Sequence, residues 1–110
     1  MSFDISGIVN QIGVNHYIVE VKKSRNARGD ATYIRTNYPI KGIVQILDGS
    51  EDEVKEGLLA VGDIIAFYDE TQTYLSKVKL GNQILYSGKY YAIKNVITNP
   101  GHVEVHARKV

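Results

Sequence analysis

The residues able to do chemistry are few, and the most suggestive group lies near the end of the sequence. His102, Glu104 and His106 alternate with Val103, Val105 and Ala107, so a strand here puts the three polar side chains on one face. Two imidazoles and a carboxylate are a ligand set for zinc or another divalent ion. Same-face neighbours on a flat strand stand roughly 7 Å apart, too far for all three to reach one ion. The expectation is therefore a solvated or partner-facing strand side, with no metal and no other cofactor.

Other chemistries find less support. The six serines at positions 2, 6, 24, 50, 76 and 87 lie in terminal or turn-like contexts, and none sits in a G-x-S-x-G elbow. Gly57, Gly62 and Gly81 are isolated, so no glycine-rich phosphate cradle forms. The sequence has no cysteine, which removes disulfides, thiolate zinc sites and a cysteine nucleophile together. Arg28-Gly29-Asp30 spells an adhesion tripeptide, yet a turn made by Gly29 and capped by Asp30 explains it without adhesion. The acids from Ser50-Glu51-Asp52-Glu53 onward form a capping box over a helix start rather than a cation site. The protein is expected to bind, not to catalyse.

What it binds is constrained by charge. Thirteen Lys and Arg against twelve Asp and Glu leave a net charge of +1. A protein devoted to nucleic acid usually carries a large basic surplus, because phosphate neutralisation supplies most of the affinity. The charges are nonetheless segregated. Lys22, Lys23, Arg25, Arg28 and Arg35 cluster early, acids gather between Asp48 and Glu70, and Arg108 and Lys109 close the sequence. Such polarity suits complementary contacts between protein subunits. Tyr17, Tyr33 and Tyr38 interleave with the early cations, which keeps a second reading open: an OB-like small barrel that binds single-stranded nucleic acid.

These residues need elements to hold them. With 110 residues there is room for one domain spanning 1–110 and one core. No run of about 18 apolar residues marks a membrane-crossing helix, and the opening Met1–Ser6 has an early acid and no basic stretch, unlike a signal peptide. Ile5, Ile8, Val9 and Ile12 predict a short helix ending near Gly13 within the N-terminal segment 1–15. Alternation predicts strands over 16–23, 41–47, 64–68, 83–86, 89–97 and 102–109, with a further short helix after Ser50. Ser87-Gly88 is a tight hairpin turn, and Asn99-Pro100-Gly101 a second turn. Residues 24–39 carry little apolar character, and Pro39 is expected to stop any pairing, so this segment reads as a long, mobile polar loop. The fold class is mainly β: a small antiparallel barrel of about six strands with one or two short helices, closed so that it leaves no open edges.

Gly62-Asp63-Ile64-Ile65-Ala66-Phe67-Tyr68, a polar stretch, then Ile84-Leu85-Tyr86-Ser87-Gly88-Lys89-Tyr90-Tyr91-Ala92-Ile93 and a final strand ending in basic residues resemble the head-completion proteins of tailed phages, the stoppers that join head to tail. In that family a Gly-Asp strand precedes a hairpin of the form Y-x-G-x-x-Y-x-I, here carried by Gly62, Asp63, Tyr86, Gly88 and Tyr91. The likeness covers most of the sequence and is best from Lys41 onward. It implies a barrel that is monomeric alone and docks as a ring under the portal and adaptor of a filled capsid, closing the DNA exit channel and offering a surface to tail proteins. It also implies a location in the virion, reached from the host cytoplasm, and no membrane partner. The family's inter-strand loop orders on assembly. Here it matches residues 24–38, and Arg25, Arg28, Asp30, Tyr33 and Arg35 would face the channel, its packaged DNA, or acidic neighbours.

Overall fold

The structure, a computed structural model, describes residues 13–49, 57 and 59–110. Six antiparallel strands form it: β1 (Val14–Arg25), β2 (Ala31–Ile46), β3 (Ile64–Asp69), β4 (Gln83–Tyr86), β5 (Lys89–Asn99) and β6 (His102–Lys109). They close into a barrel in the order β1-β2-β3-β6-β5-β4, with β4 returning to β1. Each half is a meander, and the halves meet along β3–β6 and β1–β4. All six strands read from the sequence are present. The helix expected ahead of Gly13 and the one expected after Ser50 lie outside the described residues.

Period-two alternation builds the interior. Ile18 and Ile40 from the first two strands, Ile64, Ala66 and Tyr68 from β3, Ile84 from β4, Tyr91 and Ile93 from β5, and Val103, Val105 and Ala107 from β6 pack into one buried cluster. Leu47, Leu59 and Ile65, with Phe67 against them, form a smaller cluster on the other side of β3. Hence the near-continuous apolar run of β3, which is covered on both faces. Between Ile93 and Asn95 the β5–β6 register shifts by one residue, a bulge that bends β5 as it passes from β4 to β6.

Two corrections to the sequence reading concern β1 and β2. The loop expected over 24–39 is instead mostly strand. β1 runs through Arg25, β2 starts at Ala31, and the two pair without interruption from Val14↔Gly42 to Arg25↔Ala31. Polar composition hid this, because a hairpin solvated on both faces has no apolar alternation to show. Nor does Pro39 stop the strand. The Lys41 N–H is taken by the Gln72 side chain (3.1 Å), so it points away from β1. Alternation turns the nitrogen of Pro39 the same way, to a side where β2 has no described strand partner before Ile43, and its missing N–H costs no bond of the described ladders.

The segments between strands are tied by buried carboxylates. Asp63, 4% exposed, accepts hydrogen bonds from the backbone N–H groups of Ala60 (2.8 Å) and Lys109 (2.9 Å), fastening the end of β6 to the entry of β3. Gly62 before it sits at φ +93°, a conformation that glycine adopts without strain. Asp69 accepts from Thr71 N–H (2.8 Å) and from the Thr71 hydroxyl, organising the turn after β3. Ser87 (φ 52°) and Gly88 (φ 77°) are both left-handed, as a two-residue hairpin of the primed type requires.

A polar pair sits within the barrel. His16 donates from Nδ1 to the Val14 carbonyl (2.9 Å), which leaves Nε2 to accept from the Tyr68 hydroxyl (2.7 Å). Burial lowers the His16 pKa below its ordinary 6.5 and pushes the Tyr68 phenol far above the usual tyrosine range. The Tyr68 ring lies over Gly42, where an added Cβ would overlap Cδ1 and Cε1 of that ring and approach the Phe67 carbonyl oxygen to 2.7 Å.

Two outcomes follow. Gly42→Ala must displace either ring or backbone, and we expect a loss of about 1–3 kcal/mol in urea unfolding with the barrel fold retained. The folded chain binds a proton at His16 less readily than the unfolded chain, so the unfolded state takes up the extra proton once the pH falls below 6.5. Stability should therefore decline as pH drops through that value. Urea midpoints measured between pH 8 and pH 5 should show a flatter profile for His16→Gln.

Candidate functional site

The part of β1 and β2 that outruns the barrel is the most distinctive surface. β4 accompanies β1 only from Tyr17 to Val19, and β3 joins β2 only from Ile43. Between these limits neither strand pairs with any other described strand, and residues 22–37 are exposed throughout. At about 3.3 Å per residue the hairpin projects on the order of 20 Å beyond the last β4 pairing.

Its tip is a compact turn. The Asn26 carbonyl accepts from Gly29 N–H (2.9 Å), while the Asn26 side-chain oxygen accepts from the N–H groups of Arg28 (2.9 Å) and Asp30 (3.0 Å). Gly29 is left-handed at φ +82°. Asn26 N–H bonds the Asp30 carbonyl (3.1 Å), and the Arg25 guanidinium reaches the Gly29 carbonyl (3.2 Å). The Arg-Gly-Asp triplet is thus one flank of a hydrogen-bonded hairpin end, organised by Asn26.

The arm's base is held on both faces. On the face continuing the barrel interior, Glu20 has a side chain only 8% exposed and pairs with Lys77 (3.0 Å) and Lys22 (3.4 Å). Lys77 belongs to a single 3₁₀ turn, Leu75–Lys77, and its ammonium also lies 4.9 Å from the centre of the Tyr38 ring. Tyr38 in turn leans on Tyr74, ring centres 5.1 Å apart. On the outer face the Arg35 guanidinium lies 5.3 Å from the centre of the Tyr90 ring. The hydrogen bond from Lys77 holds the Glu20 carboxyl below its ordinary 4.5 against the opposing effect of burial, and the same bond raises Lys77 above 10.5. The clamp's contribution is therefore complete between those two values. It is lost as pH falls through the lowered Glu20 pKa, or rises through the raised Lys77 pKa.

The expected site residues divide between arm and barrel. Arg25, Arg28, Asp30, Tyr33 and Arg35 all lie on the arm. Arg25, Tyr33 and Arg35 share a face with Val21 and Lys23, whereas Lys22 and Ile34 occupy the opposite one. Tyr17 and Tyr33 follow the outer face, and Tyr38 turns to the clamp, so the three tyrosines do not make one stacking platform. Gly62, Asp63, Gly88 and Tyr91 serve the barrel: two turns, a buried carboxylate tie and a core ring. Tyr86 meets the His16 ring edge-on at 6.0 Å. Of the late trio, Glu104 and His106 pair at 2.8 Å, while His102 lies beside Asn99. Among the described residues, no group of three His, Asp or Glu side chains stands close enough to hold one ion.

Sequence reasoning missed Glu20, Lys77 and Tyr74, and singled out Tyr38 only as one of three interleaved tyrosines, not as part of this clamp. Glu20 and Lys77 are 57 residues apart, and only the closed sheet brings them together. In comparisons with known proteins, no family model matches the chain and no curated protein matches it.

The clamp makes a direct prediction. Glu20→Gln combined with Arg35→Ala frees the arm's base on both faces without touching the apolar core. Exchange at the amides of Lys22, Ser24, Ile34 and Thr36, which face the partner strand, should quicken by about tenfold or more. Barrel amides such as those of Ile65 and Val105 should stay protected. Unchanged arm exchange would show that the clamp does not hold it.

Proposed function

We propose that this protein is a joining component of a tailed-phage or prophage particle, one that assembles as a ring on the portal and adaptor, closes the DNA exit channel and presents a surface to the tail. The observation that carries this reading is the arm: a hydrogen-bonded hairpin bearing five cations and a single acid over residues 22–37, tied at its base by Glu20–Lys77 and Arg35–Tyr90 to a barrel whose interior is filled by its own side chains. A ring component needs a rigid body and a protruding element that reaches a neighbour, and the barrel and arm supply these two parts. The resemblance of the Gly62-Asp63 strand and the Tyr86–Tyr91 hairpin to head-completion proteins supports the same assignment.

The reading differs from the family's usual behaviour in one respect. The segment expected to be a loop that orders on assembly is paired within the free chain, so the arm would dock preformed. Docking a preformed strand pair avoids the conformational entropy of ordering its residues at the moment of contact. Charge segregation, with a basic arm on a chain of net charge +1, suits contact with acidic protein surfaces or the wall of a DNA channel.

Mixing the purified chain with a portal–adaptor complex and imaging by electron microscopy tests the proposal. We expect a ring of added density beneath the adaptor. Arg25→Ala, Arg28→Ala and Arg35→Ala together should reduce its occupancy while leaving the circular dichroism of the barrel intact. Absence of any ring, together with salt-dependent binding of random single-stranded oligonucleotides, would favour the OB-like alternative instead.

A further inference from the structure

β1 ends its pairing with β4 at Val19, yet continues as a regular strand to Arg25. The parity of its backbone is fixed at both ends of the β1–β2 ladder. Lys41 N–H points away from β1, and Asn26 N–H points across to Asp30. Even-numbered residues of β1 therefore bond to β2, and odd-numbered ones face the other way. Val21, Lys23 and Arg25 direct both N–H and C=O outward, and no described strand lies along them.

Beside this edge the chain leading into β4 turns aside. Asn82 donates its side-chain amide to the Lys77 carbonyl (2.8 Å) and its N–H to Lys79 (3.2 Å), and Gly81 is left-handed at φ +94°. The departure leaves a cleft of about 260 Å³ between Glu20–Lys22 and Lys79–Asn82. Leu80 stands at its rim, 65% exposed. Lys22, Lys23, Arg25 and Lys79 surround the edge, and the one acid there among the described residues, Glu20, is already engaged by Lys77 and Lys22.

We infer that this edge receives an extended acidic segment of a partner protein, added as a strand that continues the line of β4, with an apolar side chain against Leu80 in the cleft. Free N–H and C=O groups alternating at strand spacing ask for acceptors and donors together, which a polypeptide supplies and a phosphate backbone does not. The surrounding lysines and arginine select negative side chains on the incoming strand and oppose pairing between two copies of the arm, whose like charges would meet. This rests on the reading of the arm as a protein-binding element and names the chemistry of what it binds.

The test selects from a random library of peptides about twelve residues long against the full chain, with oligo(dT) titrated in parallel. Enriched peptides should be proline-free, acidic and alternating. Adding one should slow amide exchange at Val21, Lys23 and Arg25, and Lys23→Glu or Lys79→Glu should each weaken it by about tenfold. These two side chains lie outside the core, so both variants should fold, as circular dichroism can verify. No enrichment, enrichment without acidic character, protection elsewhere, or protection of those amides by oligo(dT) instead would each overturn the inference. Loss of peptide binding while rings still form on portal–adaptor would overturn this inference alone. Peptide binding without rings would overturn the virion reading alone.

Discussion

The uninterrupted ladder between β1 and β2 is the constraint on which the rest of the molecule depends. Its twelve pairs serve as barrel wall at one end and free arm at the other. A sheet has a side-chain period of two, so a single register sends His16, Ile18 and Ile40 into the barrel and delivers Glu20 to its mouth. A slip of β1 by one residue would turn Ile18 to the outer face and strand Glu20 away from Lys77, and the same slip of β2 would turn Ile40 outward. The same parity turns the nitrogen of Pro39 to the unpaired side and the peptide groups of Val21, Lys23 and Arg25 to solvent. Core, clamp and open edge are consequences of one pairing.

Holding that register falls to the few buried polar groups. Register is weakly specified in strands solvated on both faces, which describes the arm. At the barrel end it is specified strongly. The Tyr68 ring needs the bare backbone of Gly42, and its hydroxyl needs His16, so β1 and β2 are both indexed against β3. Asp63 fixes the end of β6 against the entry of β3, and Gln72, reaching from the turn organised by Asp69, takes the one N–H of Lys41. Each of these groups has its partners within the chain, which is what makes its burial affordable.

Legibility from sequence follows the same division. All six strands could be read because their interior faces are apolar or aromatic and their turns carry Gly or Pro, as at Ser87-Gly88 and Asn99-Pro100-Gly101. The arm could not, because Ser24, Arg25, Thr32 and Asn37 are chosen for water and leave no periodic signal. Pro39 compounded the error: whether a proline ends a strand depends on which side its nitrogen faces, and that is a property of the sheet. The importance of the segment was nevertheless visible, as a run of cations without an apolar purpose. The Glu20–Lys77 pair and the tilted ring contact of Tyr38 with Tyr74 carried no such mark, since their proximity exists only once the barrel closes.

The arm also poses a problem that its composition answers. A projecting strand pair with open edges invites indiscriminate pairing, and exposed Tyr33 and Ile34 (65% and 55%) add apolar surface to the hazard. Barrel closure removes edges elsewhere but cannot do so here. Cations along β1 and proline on β2 make the edges selective instead: like copies repel, and Pro39 denies β2 a continuous outward ladder. Two outward runs stay open among the described strands, Val21–Arg25 on β1 and Ala31–Asn37 on β2, and the first is bordered by Lys79 and Leu80. An edge left open by chance would have no reason to sit beside both a cleft and a fixed clamp. Glu20 joins these features, because the carboxylate that anchors the arm to Lys77 also cancels the nearest charge of Lys22. The net positive field is thereby moved outward, to the stretch of β1 where the backbone is free.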